Sequence, residues 1–212
     1  MKITIWSDFN CPFCYIGQAH LDKALKDTVG LTDVEIEYNS YQLSPDAKYT
    51  EGESYIERLA KMKGSSTEEI RQMLAYTEDM ANNAGLEIDH ETMKHANTFD
   101  AHRVFQYAKN ENLGEEYFTR FYKAHFAEGE ILSDHDTIVR LASEVGLNKE
   151  KVEAILQDQM INQEAVTQEI AIAQTIGVQG VPFYVFNNKY GLSGAQPVET
   201  FKQVIETVQS EA

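Results

Sequence analysis

Cys11 and Cys14 are the residues of this sequence best suited to chemistry. They are the two cysteines of a 212-residue chain, and Pro12 and Phe13 separate them. At this spacing two sulfurs meet on one helical turn and can form and break a disulfide by thiol–disulfide exchange. We predict that Cys11, nearer to the solvent, attacks a substrate disulfide. Cys14, one turn further in and more buried, would then resolve the mixed disulfide.

The pattern around the two cysteines predicts the element that activates them. Residues 2–6 alternate between polar and apolar side chains, which is typical of a strand. Residues 13–26 have apolar side chains at helical spacing, so a helix begins at the cysteines. The positive end of the helix dipole stabilises a thiolate placed there. Pro12 fits the first helical position, where its missing N–H group costs nothing.

A zinc site is the main alternative for the cysteine pair on the residues alone, and a pair of core cysteines is another. Zinc usually takes four ligands, and His90 and His95 could supply two beside Cys11 and Cys14. However, the gap between the two pairs is several times that of a zinc finger. The setting of the CxxC pair favours redox chemistry, and we predict no metal.

The remaining periodicity predicts an α/β fold in which a helical block interrupts a sheet. Residues 34–38 alternate again, and a helix joining two strands implies parallel pairing. Periodic segments from about residue 50 are helical, ending in a long helix from Val152 to Ala173. Two short strands, 183–186 and 190–192, then form a hairpin. The predicted domains are a sheet-containing domain, residues 1–48 and 177–212, and an inserted helical domain, residues 49–176.

Helix starts and one core-facing stripe can be placed inside the helical block. Ser66 and Glu69 form a capping box, and we predict that Asn97 and Ser133 begin two further helices. Aromatic side chains within residues 118–126 recur at helical spacing and are predicted to face the core. The methionines do not gather on one helical face, so we predict no methionine-rich binding groove.

The composition argues against several classes of partner. Hydrophobic residues make up 42% of the chain and charged residues 25%, which is typical of a globular protein. The net charge of −16 disfavours binding to nucleic acids and to anionic membrane surfaces. We find no secretory signal pattern and no apolar run long enough to cross a membrane. We therefore expect a cytoplasmic protein, where a single CxxC pair favours a reactive group over a structural disulfide.

A second motif makes a family resemblance specific. The stretch Gly177-Val178-Gln179-Gly180-Val181-Pro182 comes directly before the third predicted strand, where a proline is tolerated. Together with the CPFC motif after the first strand, this stretch resembles the thioredoxin superfamily. The helical insertion after the second strand is similar to the DsbA-like branch. Residues 42–46 and 97–103 resemble its cytosolic FrnE-like members.

The resemblance implies a role for each matching residue. Cys11 would be the nucleophile and Cys14 the resolving thiol. Pro182 would be a cis-proline facing the CxxC pair, and Val181 would offer its backbone to an extended substrate. The two residues between the cysteines would shape the helix start and border the substrate.

The implied function is a thiol–disulfide oxidoreductase that acts on protein or small-molecule disulfides through a mixed disulfide. No cofactor is expected beyond the redox-active disulfide, although glutathione could serve as a co-substrate. One alternative is a glutathione-dependent isomerase or transferase of the same fold, of the hydroxychromene-carboxylate isomerase or kappa-class type, in which the first CxxC position is commonly serine. Another is a non-catalytic peptide-binding chaperone. The sequence predicts neither the direction of the redox reaction nor the oligomeric state.

Three further polar residues stay open at this point. Asp8, three residues before Cys11, is expected either in a solvated loop or as a relay of protons to Cys14. His102 and Arg103 belong to the FrnE-like stretch and could face the active-site groove. For His102 and Arg103 we predict a structural role as hydrogen-bonding side chains.

Overall fold

Four strands form one mixed sheet within residues 1–211, the part of the chain that the computed structural model describes. They are β1 (Lys2–Ser7), β2 (Glu35–Ser40), β3 (Phe183–Phe186) and β4 (Tyr190–Ser193), in the spatial order β2-β1-β3-β4. β2 runs parallel to β1, whereas β3 is antiparallel to β1 and β4 is antiparallel to β3. The predicted parallel pair is confirmed. Ala212, the predicted end of the sheet-containing domain, lies outside the described residues.

The hairpin between β3 and β4 is also confirmed. Asn187 and Asn188 both have positive φ angles, of 47° and 55°. A tight hairpin turn needs such backbone angles, and asparagine adopts them more readily than most residues. The turn thereby brings β4 to the edge of the sheet.

Helices supply the rest of the regular structure. They are α1 (Pro12–Asp27), α2 (Tyr55–Lys63), α3 (Thr67–Asn83), α4 (Phe99–Asn110), α5 (Gly114–Phe126), α6 (His135–Glu144), α7 (Lys149–Gln157), α8 (Gln163–Thr175) and α9 (Val198–Ser210). The helices α2 to α8 all lie between β2 and β3 in the chain, as the predicted helical insertion requires. Within residues 1–211, none of these helices combines the length and apolar character needed to cross a membrane.

The main core joins the sheet to the inserted helices. Phe9, in the loop after β1, stacks on Phe118 of α5 with ring centroids 4.4 Å apart. The predicted aromatic stripe of α5 is confirmed as core, because its members are fully buried. By contrast, α2 and α3 pack around a small cluster of their own, formed by Ile56, Ala60, Ile70 and Leu74. The capping box predicted at Ser66 is present at the start of α3.

The predicted long helix from Val152 to Ala173 is wrong, because the chain breaks between α7 and α8. Asn162 adopts a left-handed conformation with φ of 63° directly before α8. The buried guanidinium of Arg103 donates hydrogen bonds to the carbonyls of Ile155, Asp158 and Ile161, which a continuous helix would need for itself. Apolar periodicity continues across this break, so the sequence pattern did not reveal it.

Two predicted helix starts are each displaced by one residue. Asp134, not Ser133, caps α6 by accepting a hydrogen bond from the Thr137 N–H at 2.8 Å. At α4 the N-cap position is Thr98, and Asn97 accepts from the Phe99 N–H at 2.8 Å. Neighbouring polar residues can exchange such roles, because each side chain reaches the same unpaired backbone N–H groups.

Candidate active site

Cys11 occupies the N-cap position of α1, and Pro12 is the first helical residue. The Cys11 N–H donates to the Asp8 carbonyl at 3.1 Å, and its own carbonyl accepts from the Cys14 N–H at 3.0 Å. No side chain caps this end of the helix, and no acidic residue lies in its first turn. The unpaired N–H groups and the positive end of the helix dipole are therefore left to the thiol side chains.

Both cysteines are free thiols in contact with each other, and both are buried. Cys11 is 3% exposed and Cys14 is 2% exposed, so the expected contrast in solvent exposure is nearly absent. The two thiols differ in access instead, since Cys11 borders a groove and Cys14 is not among the residues that line it. A substrate can therefore reach Cys11 first, through this groove.

The surroundings of Cys14 favour its protonated form. Burial raises the pKa of the Cys14 thiol well above its usual range, and the hydrogen bond and charge of Cys11 raise it further. Hydrogen bonds from the Ser7 side chain and the Asp8 backbone act in the opposite direction but are weaker. Cys14 is thus held in its protonated thiol form.

Val181 and Pro182 lie against the leading cysteine. Their peptide bond is cis, and the Cys11 thiol donates to the Val181 carbonyl at 3.3 Å. Val181 also lines the groove, whereas Pro182 is not among the lining residues. The Pro182 carbonyl accepts from the Gly194 N–H at 2.8 Å. The motif before β3 and the motif before α1 therefore meet in space.

The groove beside Cys11, which we call the Cys11 groove, has a volume of about 790 Å³ and lies between α1, the loop after β2 and the α2–α3 pair. Five of the nine large hydrophobic side chains that are exposed in the described residues line it: Phe13, Leu43, Met62, Met73 and Tyr76. Arg58 and Lys63 add positive charge to the groove, and Asp46 adds one negative charge. Exposed apolar side chains gathered in one concave surface are typical of a binding site.

Sequence reasoning missed the Cys11 groove, although two methionines, Met62 and Met73, are among the residues that line it. Met62 lies on α2 and Met73 on α3, so no single helical face contains both. Only the packing of the two helices brings them to one wall. The exposed apolar residues on α2 and α3 were a signal that could have indicated the groove.

Asp8 is buried rather than solvated. One carboxylate oxygen accepts from the Thr98 hydroxyl at 2.8 Å and from His102 Nε2 at 3.3 Å, and the other accepts from the Leu43 N–H at 2.8 Å. Burial raises the pKa of Asp8, but His102 and the other donors outweigh it, so the pKa lies below its ordinary value. Asp8 thus fastens the loop beside Cys11 and the start of α4 to the cysteine turn.

The two residues of the FrnE-like stretch act in different places. His102 is fully buried and contacts Asp8 directly behind the site, with its ring tilted against Phe9 at a centroid distance of 4.6 Å. Arg103 donates to carbonyls of the break between α7 and α8 and forms an ion pair with Asp100 at 2.8 Å. Neither residue lines the Cys11 groove.

The histidines considered as zinc ligands have other neighbours. His90 is paired with Glu78 at 2.7 Å, and the Tyr55 ring lies 6.0 Å from His90 and 5.9 Å from His95, measured between centroids. Of the two, only His95 lines the Cys11 groove. Within residues 1–211 no group of three or more His, Cys, Asp or Glu side chains is arranged to hold a metal ion.

The fold and the site together define a thioredoxin-fold protein with a helical insertion and a CxxC motif at the start of its first helix. Residues 2–206 match the DSBA-like thioredoxin domain. The chain belongs to this family, and the predicted fold class is confirmed. The finer placement among FrnE-like members stays a prediction.

Individual proteins are similar to the chain over nearly its whole length. A probable DsbA oxidoreductase, SCO1869 from Streptomyces coelicolor, is 32% identical with a TM-score of 0.93, covering all of this chain and 91% of its own. The uncharacterized protein YwbO of Bacillus subtilis is 28% identical over 211 residues, covering 99% of this chain and 98% of its own. The cytosolic disulfide reductase DsbM from Pseudomonas aeruginosa, 14% identical with a TM-score of 0.68, shares the fold over both full lengths.

Proposed function

We propose that the chain is a thiol–disulfide oxidoreductase that acts on protein or small-molecule disulfides through a mixed disulfide on Cys11. The observation that carries this proposal is the pair of free, contacting thiols at the uncapped start of α1, of which Cys11 borders an apolar groove. The similarity to a probable DsbA oxidoreductase supports it.

In the reducing direction, the Cys11 thiolate attacks one sulfur of the substrate disulfide. A bond forms between Cys11 and that sulfur, and the other half of the substrate leaves as a thiolate. Cys14 then gives up its proton and attacks Cys11, which releases the second thiolate and leaves a Cys11–Cys14 disulfide. The high pKa of Cys14 keeps it from reacting with solvent-borne disulfides before this step.

Substitution of each cysteine tests the proposal. We expect Cys11→Ser to abolish reduction of a model disulfide, because serine provides no thiolate. Cys14→Ser should still react once but accumulate the mixed disulfide, which mass spectrometry detects as an adduct on Cys11. Full activity of Cys11→Ser would overturn the proposal.

Glutathione is the thiol that we propose for regenerating the reduced pair, in a cytoplasmic location. Arg58 and Lys63 in the Cys11 groove would attract its carboxylates, and DsbM has a structure with glutathione. Incubation of the Cys11–Cys14 disulfide with glutathione should yield free thiols, and replacement of both cations by methionine should raise the glutathione concentration that is needed. No reduction by glutathione in the unmodified protein would exclude this role.

If the chain were instead a glutathione-dependent isomerase or transferase, the same cysteine variants would give a different result. In such an enzyme the reacting thiol belongs to glutathione, so turnover would be indifferent to Cys14→Ser. The contact between the two protein thiols favours the oxidoreductase, because an isomerase has no use for a resolving cysteine.

A further inference from the structure

Tyr55 is held in the Cys11 groove in one orientation. It is the first residue of α2, and the capping box between Ser54 and Glu57 fixes its backbone. Its ring lies nearly parallel to that of His90, with an interplanar angle of 15°, and His90 is itself buried and paired with Glu78. A phenol supported in this way needs little reordering to meet a substrate.

The Tyr55 hydroxyl is free to meet a ligand. Within residues 1–211 it has no hydrogen-bond partner, yet it is not among the polar atoms that are both unpartnered and buried. Tyr55 and Cys11 both line the groove, so a substrate disulfide bound to Cys11 lies against the Tyr55 side chain. Burial, and then the negative charge of Cys11, raise the pKa of Tyr55 to about 12, so the group is a neutral hydrogen-bond donor at physiological pH.

Three other polar residues of the groove, Arg58, His95 and Cys11, are less suited to donate this hydrogen bond. Arg58 already donates to the Lys48 carbonyl at 2.5 Å. Burial, and then the charge of Arg58, lower the pKa of His95, which is therefore mostly uncharged at neutral pH. The Cys11 thiol proton points to the Val181 carbonyl. Tyr55 combines a free donor with electrostatic proximity to Cys11.

We propose that Tyr55 is a further catalytic residue, whose hydroxyl donates a hydrogen bond to the thiolate that leaves the substrate when Cys11 attacks. The Cys11–sulfur bond forms, the substrate disulfide breaks, and the electron pair departs with the leaving sulfur. The hydrogen bond stabilises this sulfur until it takes a proton from water, and Tyr55 keeps its own proton. The proposal rests on the proposed disulfide exchange at Cys11.

The test is the dependence of the rate on the leaving group. Tyr55→Phe keeps the ring and removes the donor, and Tyr107→Phe, on α4 and outside the groove, is the matched control. The substrates are mixed disulfides that all have the same sulfur for Cys11 to attack but differ in the thiol that leaves. The value of kcat/KM is measured for each as the pKa of the leaving thiol increases. We expect Tyr55→Phe to lower kcat/KM by about tenfold for a basic alkyl thiolate and hardly at all for an acidic aryl thiolate. Tyr107→Phe should leave both rates unchanged.

An equal loss for all leaving groups would overturn the proposal, because a structural defect does not depend on the leaving group. Alkylation of Cys11 by iodoacetamide releases no thiolate, so it should proceed at the same rate in Tyr55→Phe as in the unmodified protein. An equal loss in alkylation would also overturn the proposal. If Cys11→Ser retained activity, the proposed exchange itself would fail, whereas an inactive Cys11→Ser with an unchanged leaving-group dependence in Tyr55→Phe would exclude only the role of Tyr55.

Discussion

At the scale of single residues, Asp8 holds the segments around the two cysteines together, a role that its position in the sequence did not predict. Its carboxylate is fully buried and accepts hydrogen bonds from the loop after β2 and from the start of α4. Its backbone carbonyl holds the Cys11 N–H. Asp8 therefore fixes three segments: the loop after β2, the start of α4 and the turn that contains Cys11. The negative charge of its carboxylate is stabilised by the hydrogen-bond donors around it.

We expect Asp8→Asn to lower the free energy of unfolding by about 2 kcal/mol at neutral pH, because an amide replaces an acceptor among hydrogen-bond donors. The lowered pKa of Asp8 makes this stabilisation complete above the ordinary carboxyl pKa, and it is lost as the pH falls through the lowered value. The difference between variant and unmodified protein in urea denaturation should thus shrink as the pH is lowered below the ordinary carboxyl pKa.

Asp79→Asn is the matched control, because Asp79 is exposed on α3. The free energy of unfolding of Asp79→Asn should match that of the unmodified protein at neutral and at acidic pH. A constant difference between Asp8→Asn and the unmodified protein across the pH range would contradict the role of the buried charge.

At the scale of elements, the break between α7 and α8 depends on Arg103. Its guanidinium is 1% exposed and fastens carbonyls of the break to α4. Arg103 does not line the Cys11 groove, and its partners Ile155, Asp158 and Ile161 all belong to the region of the break. The adjacent residues His102 and Arg103 therefore stabilise different parts of the molecule.

Arg103→Lys is expected to lower the free energy of unfolding by about 2–4 kcal/mol, since lysine cannot reach all the carbonyls that the guanidinium satisfies. Calorimetry measures the loss. Arg71→Lys is the control, because Arg71 is exposed and pairs only with Glu91 at 2.7 Å among the described residues. An Arg103→Lys variant as stable as the control would show that the break is held by other contacts.

At the scale of the whole molecule, the chain has a net charge of −16, but the wall of the Cys11 groove contains the cations Arg58 and Lys63. Long-range repulsion acts on any anionic substrate before it reaches these two cations, and salt screens that repulsion. The chain should therefore discriminate between substrates by charge during approach, before any contact with the groove.

We expect kcat/KM for a dianionic disulfide to rise roughly threefold between low and physiological ionic strength. The rate for a dicationic disulfide should fall over the same range, and a neutral disulfide should be unaffected. Stopped-flow measurements at a series of salt concentrations give the three slopes. Equal slopes would mean that local contacts, and not the net charge, govern association.

The sequence by itself determined the cysteine pair, the helix that begins at it, the parallel strands around that helix and the helical insertion. These features depend on neighbours in the chain: residue spacing, apolar periodicity and turn chemistry. Likewise, the similarity of Val181-Pro182 and CPFC to known motifs implied that two segments about 170 residues apart meet, and the Cys11–Val181 contact bears this out.

Only the tertiary structure decided the near-equal burial of Cys11 and Cys14, the buried network of Asp8, and the Cys11 groove. Each depends on side chains that are distant in sequence, such as Met62 and Met73 on different helices or Leu43 and Thr98 around one carboxylate. Local periodicity tells which face of a helix is apolar, but not which other face it meets. The break at Arg103 was hidden for the same reason, because its hydrogen bonds come from another helix.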